Sequence, residues 1–372
     1  MSLLLTEGFD WLPNGAISNN YGAWSDYNDG GTVPTRSISA SGRTGKCLEI
    51  VTKTATASVN HLQGISLSPS GLANGVRAKI GFAIKFNANN TTDQTFFGIY
   101  NGAGTIGAKW NFVLARTGSG NLKAGFVTVS STVITGANTY GPGATVLANG
   151  VWYYIEVDFQ PHDTTGLFIV RINGVVESAL NKSNIDTLNN NNSYVGIVLG
   201  GSRCDAVDVT LNYDDFYLLD TAGSINNDLL GDRAVQTIIP NGNGNSSQMV
   251  GSDADSVDNY LHVDEGTAGP DDDTSYVQSA TSGNKDTYAY SNLSGAASVN
   301  GVVIKTVGKK VDAGAADGKA VARSSTTEAD SAALGFSTNY TIKNFVRETD
   351  PNTSAAWAPS AVDAAEFGVK VA

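Results

Sequence analysis

Apolar and polar residues alternate along much of the chain with the period of two that marks a strand buried on one face. Over residues 77–86, Ala78, Ile80, Phe82, Ile84 and Phe86 fall on one side, and Arg77, Lys79 and Lys85 on the other. Residues 151–159 repeat the pattern. Val151, Tyr153, Ile155, Val157 and Phe159 make the predicted core face, and Trp152, Tyr154, Glu156 and Asp158 the second face. The run 168–172, apolar but for Arg171, is followed by Asn173-Gly174 and then by Val175-Val176. Asn-Gly between two such runs predicts a two-residue hairpin, because both turn residues tolerate positive φ. A further strand is predicted over 213–220. Loops of Gly, Asn, Ser and Thr separate these runs, and no stretch carries the 3.6-residue period of a long amphipathic helix.

The pattern breaks over residues 221–232, which contain Gly223, Asn226, Asn227 and Gly231. This segment is read as a short, fixed joint between a first domain, residues 1–221, and a second, residues 222–372. Beyond it, strands are predicted at 234–239 (ended by Pro240-Asn241-Gly242), 286–290, 301–307, 319–323, 340–346 and 366–371. A helical turn is predicted at 361–365. A chain of 372 residues is long for one ordinary sandwich. Regular strand spacing with turn signals therefore predicts an all-β protein of two consecutive β-sandwich domains. Forty-two glycines against two methionines fit that reading.

Charge narrows the partners. The net charge is −12, and it is uneven: residues 1–221 hold 13 basic and 16 acidic side chains, residues 222–372 hold 10 and 19. The longest basic run is Lys309-Lys310, so no nucleic-acid partner is expected, since phosphate binding needs a basic stripe. No apolar run approaches a membrane span, and residues 1–7 lack the basic start of a secretory signal. No membrane association is predicted, and synthesis in a cytoplasm is expected. Cys47 and Cys204 do not form a disulfide framework. Buried thiols are expected, with a bridge between them left open.

The order of motifs over residues 1–221 resembles the concanavalin A-like, laminin-G-like jelly roll. The residues that carry it are Glu7-Gly8-Phe9-Asp10, the run Gly42 to Leu48, Trp152 to Val157, the Ile172-Asn173-Gly174 hairpin and Asp214-Asp215-Phe216-Tyr217. The succession continues through Asn227 to Asp232, Ile239 to Gly242, Asp273 to Val277, Lys285 to Tyr288, Asp350 to Thr353, Ala356-Trp357 and Glu366 to Val371. Taken whole, it looks like a family of tailed-bacteriophage virion proteins in which this jelly roll precedes a second β domain. Met249 departs from it, standing where an aromatic is expected. The resemblance implies a virion structural protein, a decoration or attachment subunit contacting capsid or tail proteins and forming homo-oligomers in the particle. The alternative is a carbohydrate-binding adhesin of the tail apparatus that recognises host glycans. Neither heptads nor β-helical repeats are present to mark a tail fibre, which favours a globular subunit on the particle surface.

Candidate chemistry is sparse. Retaining glycoside hydrolysis needs two carboxylates about 5–5.5 Å apart. Glu156 and Asp158 share a strand face beside Trp152 and Tyr154, but Gln160 and Pro161 stand where the glucanase-type pattern requires a further acid. His61, His162 and His262 are scattered and offer no triad or zinc spacing. No catalytic residue is assigned and no enzyme is expected. No cofactor is expected either, although the acidic pair Asp214-Asp215 is the place where the resemblance admits calcium; Asp253, Asp255 and Asp258, and Asp271 to Asp273, match no EF-hand loop. Trp110 and Trp152 are read as core. Tyr21, Trp24 and Tyr27, in a loop-rich stretch with Asp26 and Asp29, are the candidate contacts for a glycan or a neighbouring subunit.

Overall fold

A computed structural model describes residues 2–16, 23–28, 35–52, 63–67, 75–100, 110–126, 138–188, 194, 196–201 and 208–372. Two antiparallel sheets dominate the first half. The larger, nine-stranded, runs in the order Val175–Ile185, Gly166–Ile172, Trp152–Gln160, Ala78–Phe86, Val209–Leu219, Cys47–Thr52, Thr35–Ser39 and Gly15–Ala16, with Leu3–Glu7 also paired to Val209–Leu219. The seven-stranded sheet runs Thr139–Tyr140, Leu122–Gly125, Trp110–Arg116, Gln94–Tyr100, Gly196–Gly201, Gln63–Leu67 and Trp24–Asn28. The predicted hairpin closes through Asn173 (φ 49°) and Gly174 (φ 80°), both left-handed, as a two-residue turn matching strand twist requires.

The inner faces of the two sheets meet in an aromatic core. Phe82 stacks on Phe97 at 5.2 Å, Phe86 meets Phe96 edge-on at 5.3 Å, and Phe112 touches Phe159 and Phe168 at 5.0 and 5.1 Å. Tyr213, fully buried on the larger sheet, donates its hydroxyl towards two carbonyls of the smaller one, Phe96 at 2.6 Å and Gly200 at 3.0 Å. Tyr213→Phe keeps the ring and leaves both acceptors without that donor. It is expected to lower the stability by about 2 kcal/mol, read from the midpoint of urea unfolding at constant slope.

The second half is a smaller two-layer unit. A five-stranded sheet has the order Pro240–Ser247, Lys285–Tyr290, Glu366–Val371, Gly318–Ser324 and Thr327–Asp330. Against it lies the two-stranded ribbon Val302–Gly308 with Thr341–Arg347, and Ile304, Ala320, Ala322, Trp357 and Phe367 fill the space between. The helix Pro359–Asp363 precedes the last strand, close to the predicted turn. Among the described residues no helix is long and apolar enough to cross a membrane.

Three strand-level expectations need correction. No strand forms at 234–239; instead Pro240–Ser247, expected to be a break, is a strand. It lies at a sheet edge, where pairing relies on backbone hydrogen bonds and an opening proline is tolerated. Val151 is 45% exposed rather than core. Ala78–Phe86 is buried on both faces rather than one, because the outer face of the nine-stranded sheet is covered by the second half of the chain.

Candidate functional site

Among the described residues, that covered outer face gathers most of the buried charged side chains. Leu3, Ala83, Tyr154, Tyr217 and Leu219 from the sheet pack against Val346, with Val303 and Leu230 beside them. The ribbon therefore serves two layers. Val302 and Ile304 point into the second core, while Val303 and the facing Val346 lie on the sheet.

Polar groups rim this apolar contact. Glu7 ends its strand just before a tight turn in which Phe9 takes φ 61°. One oxygen of its buried carboxylate accepts from the Phe9 N–H and from Trp11 Nε1, both at 2.9 Å; the other accepts from Lys305 Nζ at 2.8 Å. Glu348, on the second half, accepts from the Ser2 N–H at 2.9 Å, the Leu3 N–H at 2.7 Å and Asn226 Nδ2 at 3.1 Å. Lys46 Nζ donates to the Leu12 carbonyl at 2.6 Å and to the Thr267 carbonyl of the second half.

A carboxylate cluster sits beside it. A bulge interrupts Val209–Leu219 opposite Ala78–Phe86, with Asp215 at φ 51°, a conformation aspartate tolerates better than most residues. Asp214 accepts from the Arg43 N–H and the Asp215 N–H, both at 2.8 Å. Asp215 accepts from the Val235 N–H at 2.7 Å, and Arg43 bridges it (3.4 Å) to Asp232 (2.6 Å). Asp10 accepts from the Lys46 N–H at 2.7 Å, and a Cβ on Gly45 (φ 74°) would lie 2.2 Å from the Asp10 carboxylate, so only glycine fits. Burial, then the neighbouring carboxylate, pushes Asp214 up to about 8; burial raises Asp215 to about 6 against the pull of Val235 and Arg43.

In the centre of the face, Glu156 has no exposed surface. One oxygen accepts from Tyr217 Oη at 2.6 Å and the Gly231 N–H at 2.7 Å, and the other has no partner. Tyr217 lies flat over Gly81, where an added Cβ would come within 2.2 Å of the ring. Gly81→Ala must push the ring off and break its bond to Glu156. An expected loss of about 1–3 kcal/mol should show as a lower thermal midpoint than for an alanine at Gly242, where an added Cβ meets nothing nearer than 3.9 Å. Asp158 takes both ends of Arg77 at 2.6 Å, with Lys79 at 3.8 Å on the same oxygen.

The residues singled out from sequence separate on this frame. Glu156 and Asp158 share the face as read, but it is an internal seam. Trp152 lies there too, under Lys85 Nζ at 4.7 Å, not in the sandwich core. Trp24 is not a surface contact: it is 1% exposed and meets Phe216 edge-on at 4.9 Å. Its alternate position on a short strand turns the indole inward. Tyr21, the Tyr27 and Trp110 side chains, His61 and Cys204 lie outside the described residues. Cys47 is a buried free thiol, pushed up to about 12 by burial and the Asp214 charge. His262 pairs with Asp253 at 3.2 Å, and Asp273 with Lys309 at 2.6 Å. Among the described residues no group of three or more His, Cys, Asp or Glu is placed to hold a metal ion; the carboxylates at the calcium position, Asp214-Asp215, face N–H donors. The sequence reading missed Glu7, Arg43, Tyr217 and Glu348 as polar members of one seam.

No family model and no curated protein matches the chain. Solved structures do. An endo-β-1,4-glucuronan lyase from the fungus Trichoderma reesei aligns at 13% identity and TM-score 0.44, over 55% of this chain and 94% of the lyase. The alginate lyase Aly36B aligns at 15% and 0.39, over 57% and 95%. A carbohydrate esterase of the Shiga toxin-encoding bacteriophage phi24B aligns at 12% and 0.35, over 53% and 89%. At these identities the likeness concerns the fold: a β-sandwich also found in polysaccharide-acting proteins. The expectation that the chain is not an enzyme is overturned by the same matches, several of which are lyases. The sequence test asked only for the paired carboxylates of glycoside hydrolysis, and that test is silent on lyase chemistry.

Proposed function

We propose that the chain is a surface subunit of a tailed-bacteriophage particle, a rigid block of two β units that contacts capsid or tail proteins and repeats as a homo-oligomer around the particle's symmetry axes. One observation carries this reading. Four of the jelly-roll stretches that open the phage-like succession, around Glu7, Arg43, Glu156 and Asp215, meet at the seam between the two halves and bond there to Lys305, Gly231, Val235 and Asp232. These stretches would then serve to fix the second unit on the first, as an assembly subunit bearing load between neighbours requires.

Quantitative mass spectrometry of purified particles of the encoding phage is expected to find the chain at a fixed copy number. Hundreds of copies mean a partner of the head lattice, and a handful a tail component. Absence from particles, together with failure of the purified chain to bind capsids or tails, would overturn the proposal.

A further inference from the structure

Residues 228–231 cross the outer face of the nine-stranded sheet as a strap without regular structure. The strap offers the face three groups. The Asp228 carboxylate pairs with Lys79 Nζ, the Leu230 N–H donates to Tyr217 Oη at 3.1 Å, and the Gly231 N–H donates to Glu156 at 2.7 Å. Beneath and beside it two polar atoms are buried without a partner, Oε2 of Glu156 and Nε of Arg171. Those two residues face each other across the pairing of Trp152–Gln160 with Gly166–Ile172. Glu156 is fully buried, while Arg171 is half-buried and reaches the open side of the sheet beside Ile169 and Val176.

A buried carboxylate oxygen and a guanidinium nitrogen left unpaired are costly in a folded protein. A ligand with hydroxyls for Glu156 and Tyr217 and a carboxylate for Lys79 and Arg171 would satisfy both atoms. The strap already presents part of that chemistry, one carboxylate and two donors. We propose that the face around Lys79, Glu156, Arg171 and Tyr217 binds an acidic, uronate-bearing glycan, and that residues 228–231 fill it until the glycan displaces them. Asp228 is suited to leave: its side chain is 77% exposed while that of Lys79 is 6% exposed, so the strap's ion pair forms at the rim of the site. The proposal does not depend on where in a particle the chain resides.

The test uses the full chain and a tetrasaccharide of uronates, with the same tetrasaccharide reduced to its neutral form as control. Loosening the strap with Asp228→Ala and Leu230→Ala is expected to raise affinity for the uronate at least tenfold in calorimetry and to leave the neutral sugar unchanged. Adding Arg171→Gln should cancel the gain. In the unaltered chain, saturating uronate should speed hydrogen exchange at the Leu230 and Gly231 amides, a readout that needs no variant to fold. Equal affinity before and after loosening, an equal gain for the neutral sugar, or exchange at those amides that the uronate leaves unchanged or slows would each overturn the proposal.

Discussion

Replacing Glu7 with alanine is expected to destabilise the chain by about 3–5 kcal/mol, the range for removing one partner of a buried, hydrogen-bonded charge pair. The carboxylate is 1% exposed and holds three donors at once: the Phe9 N–H, Trp11 Nε1 and Lys305 Nζ. Alanine leaves the first two buried without that acceptor. It also leaves a lysine, 20% exposed and 4.9 Å from the Trp11 ring, without its counter-charge. Glu7→Gln keeps an oxygen for the two N–H groups but turns an amide towards Lys305, so a smaller loss of about 1–2 kcal/mol is expected. Because Glu7 and Lys305 lie on opposite sides of the seam, the alanine variant should also be cut by protease within residues 220–239 at urea concentrations below its main unfolding transition. Unaltered urea stability would mean that the seam is held by its apolar contacts alone.

The strands that build the sandwich were legible because each carries one apolar face, and alternation reports that face directly. What alternation does not report is whether the polar face meets water or protein. Lys79 and Asp158 read as solvent-facing in sequence, yet they are 5% and 3% exposed. Their environment depends on residues far along the chain: Ser2 meets Glu348 across 346 positions, and Glu7 meets Lys305 across 298. A signal was nonetheless present. Phe216, Tyr217, Leu218 and Leu219 form an unbroken apolar run in the closing strand, which is the mark of burial on both faces, and Gly81 and Ala83 leave room on the supposedly polar side of its neighbour. Pro240–Ser247 was illegible for the opposite reason. Its Asn, Gly and Ser side chains have no apolar face, and its place in the sheet comes from backbone pairing to Lys285–Tyr290. Trp24 shows a third limit, since local composition marks a loop-rich stretch but cannot tell which aromatic turns inward.

The carboxylate cluster makes stability depend on pH in a direction opposite to ordinary acid unfolding. Asp214 and Asp215 ionise near 3.8 in the unfolded chain, and in the folded chain at about 8 and about 6. The folded state therefore holds protons that the unfolded state has lost. Stability from these groups is complete below the unfolded value and declines as pH rises through the folded ones. Between pH 6 and 8 the excess is about one proton, which corresponds to a loss of about 1.4 kcal/mol per pH unit, levelling off above pH 8. The charges around the pair set the shape of that decline. Asp10 and Asp232 oppose ionisation, and Arg43, 3.4 Å from Asp215, favours it. Asp214→Asn removes the group that titrates last, so urea midpoints measured from pH 6 to 8.5 should lie nearly flat for the variant and fall for the unaltered chain. The slope is the readout, because the asparagine amide also meets the Arg43 and Asp215 N–H groups and shifts stability by a pH-independent amount. Parallel slopes for the two proteins would assign the pH dependence to other groups.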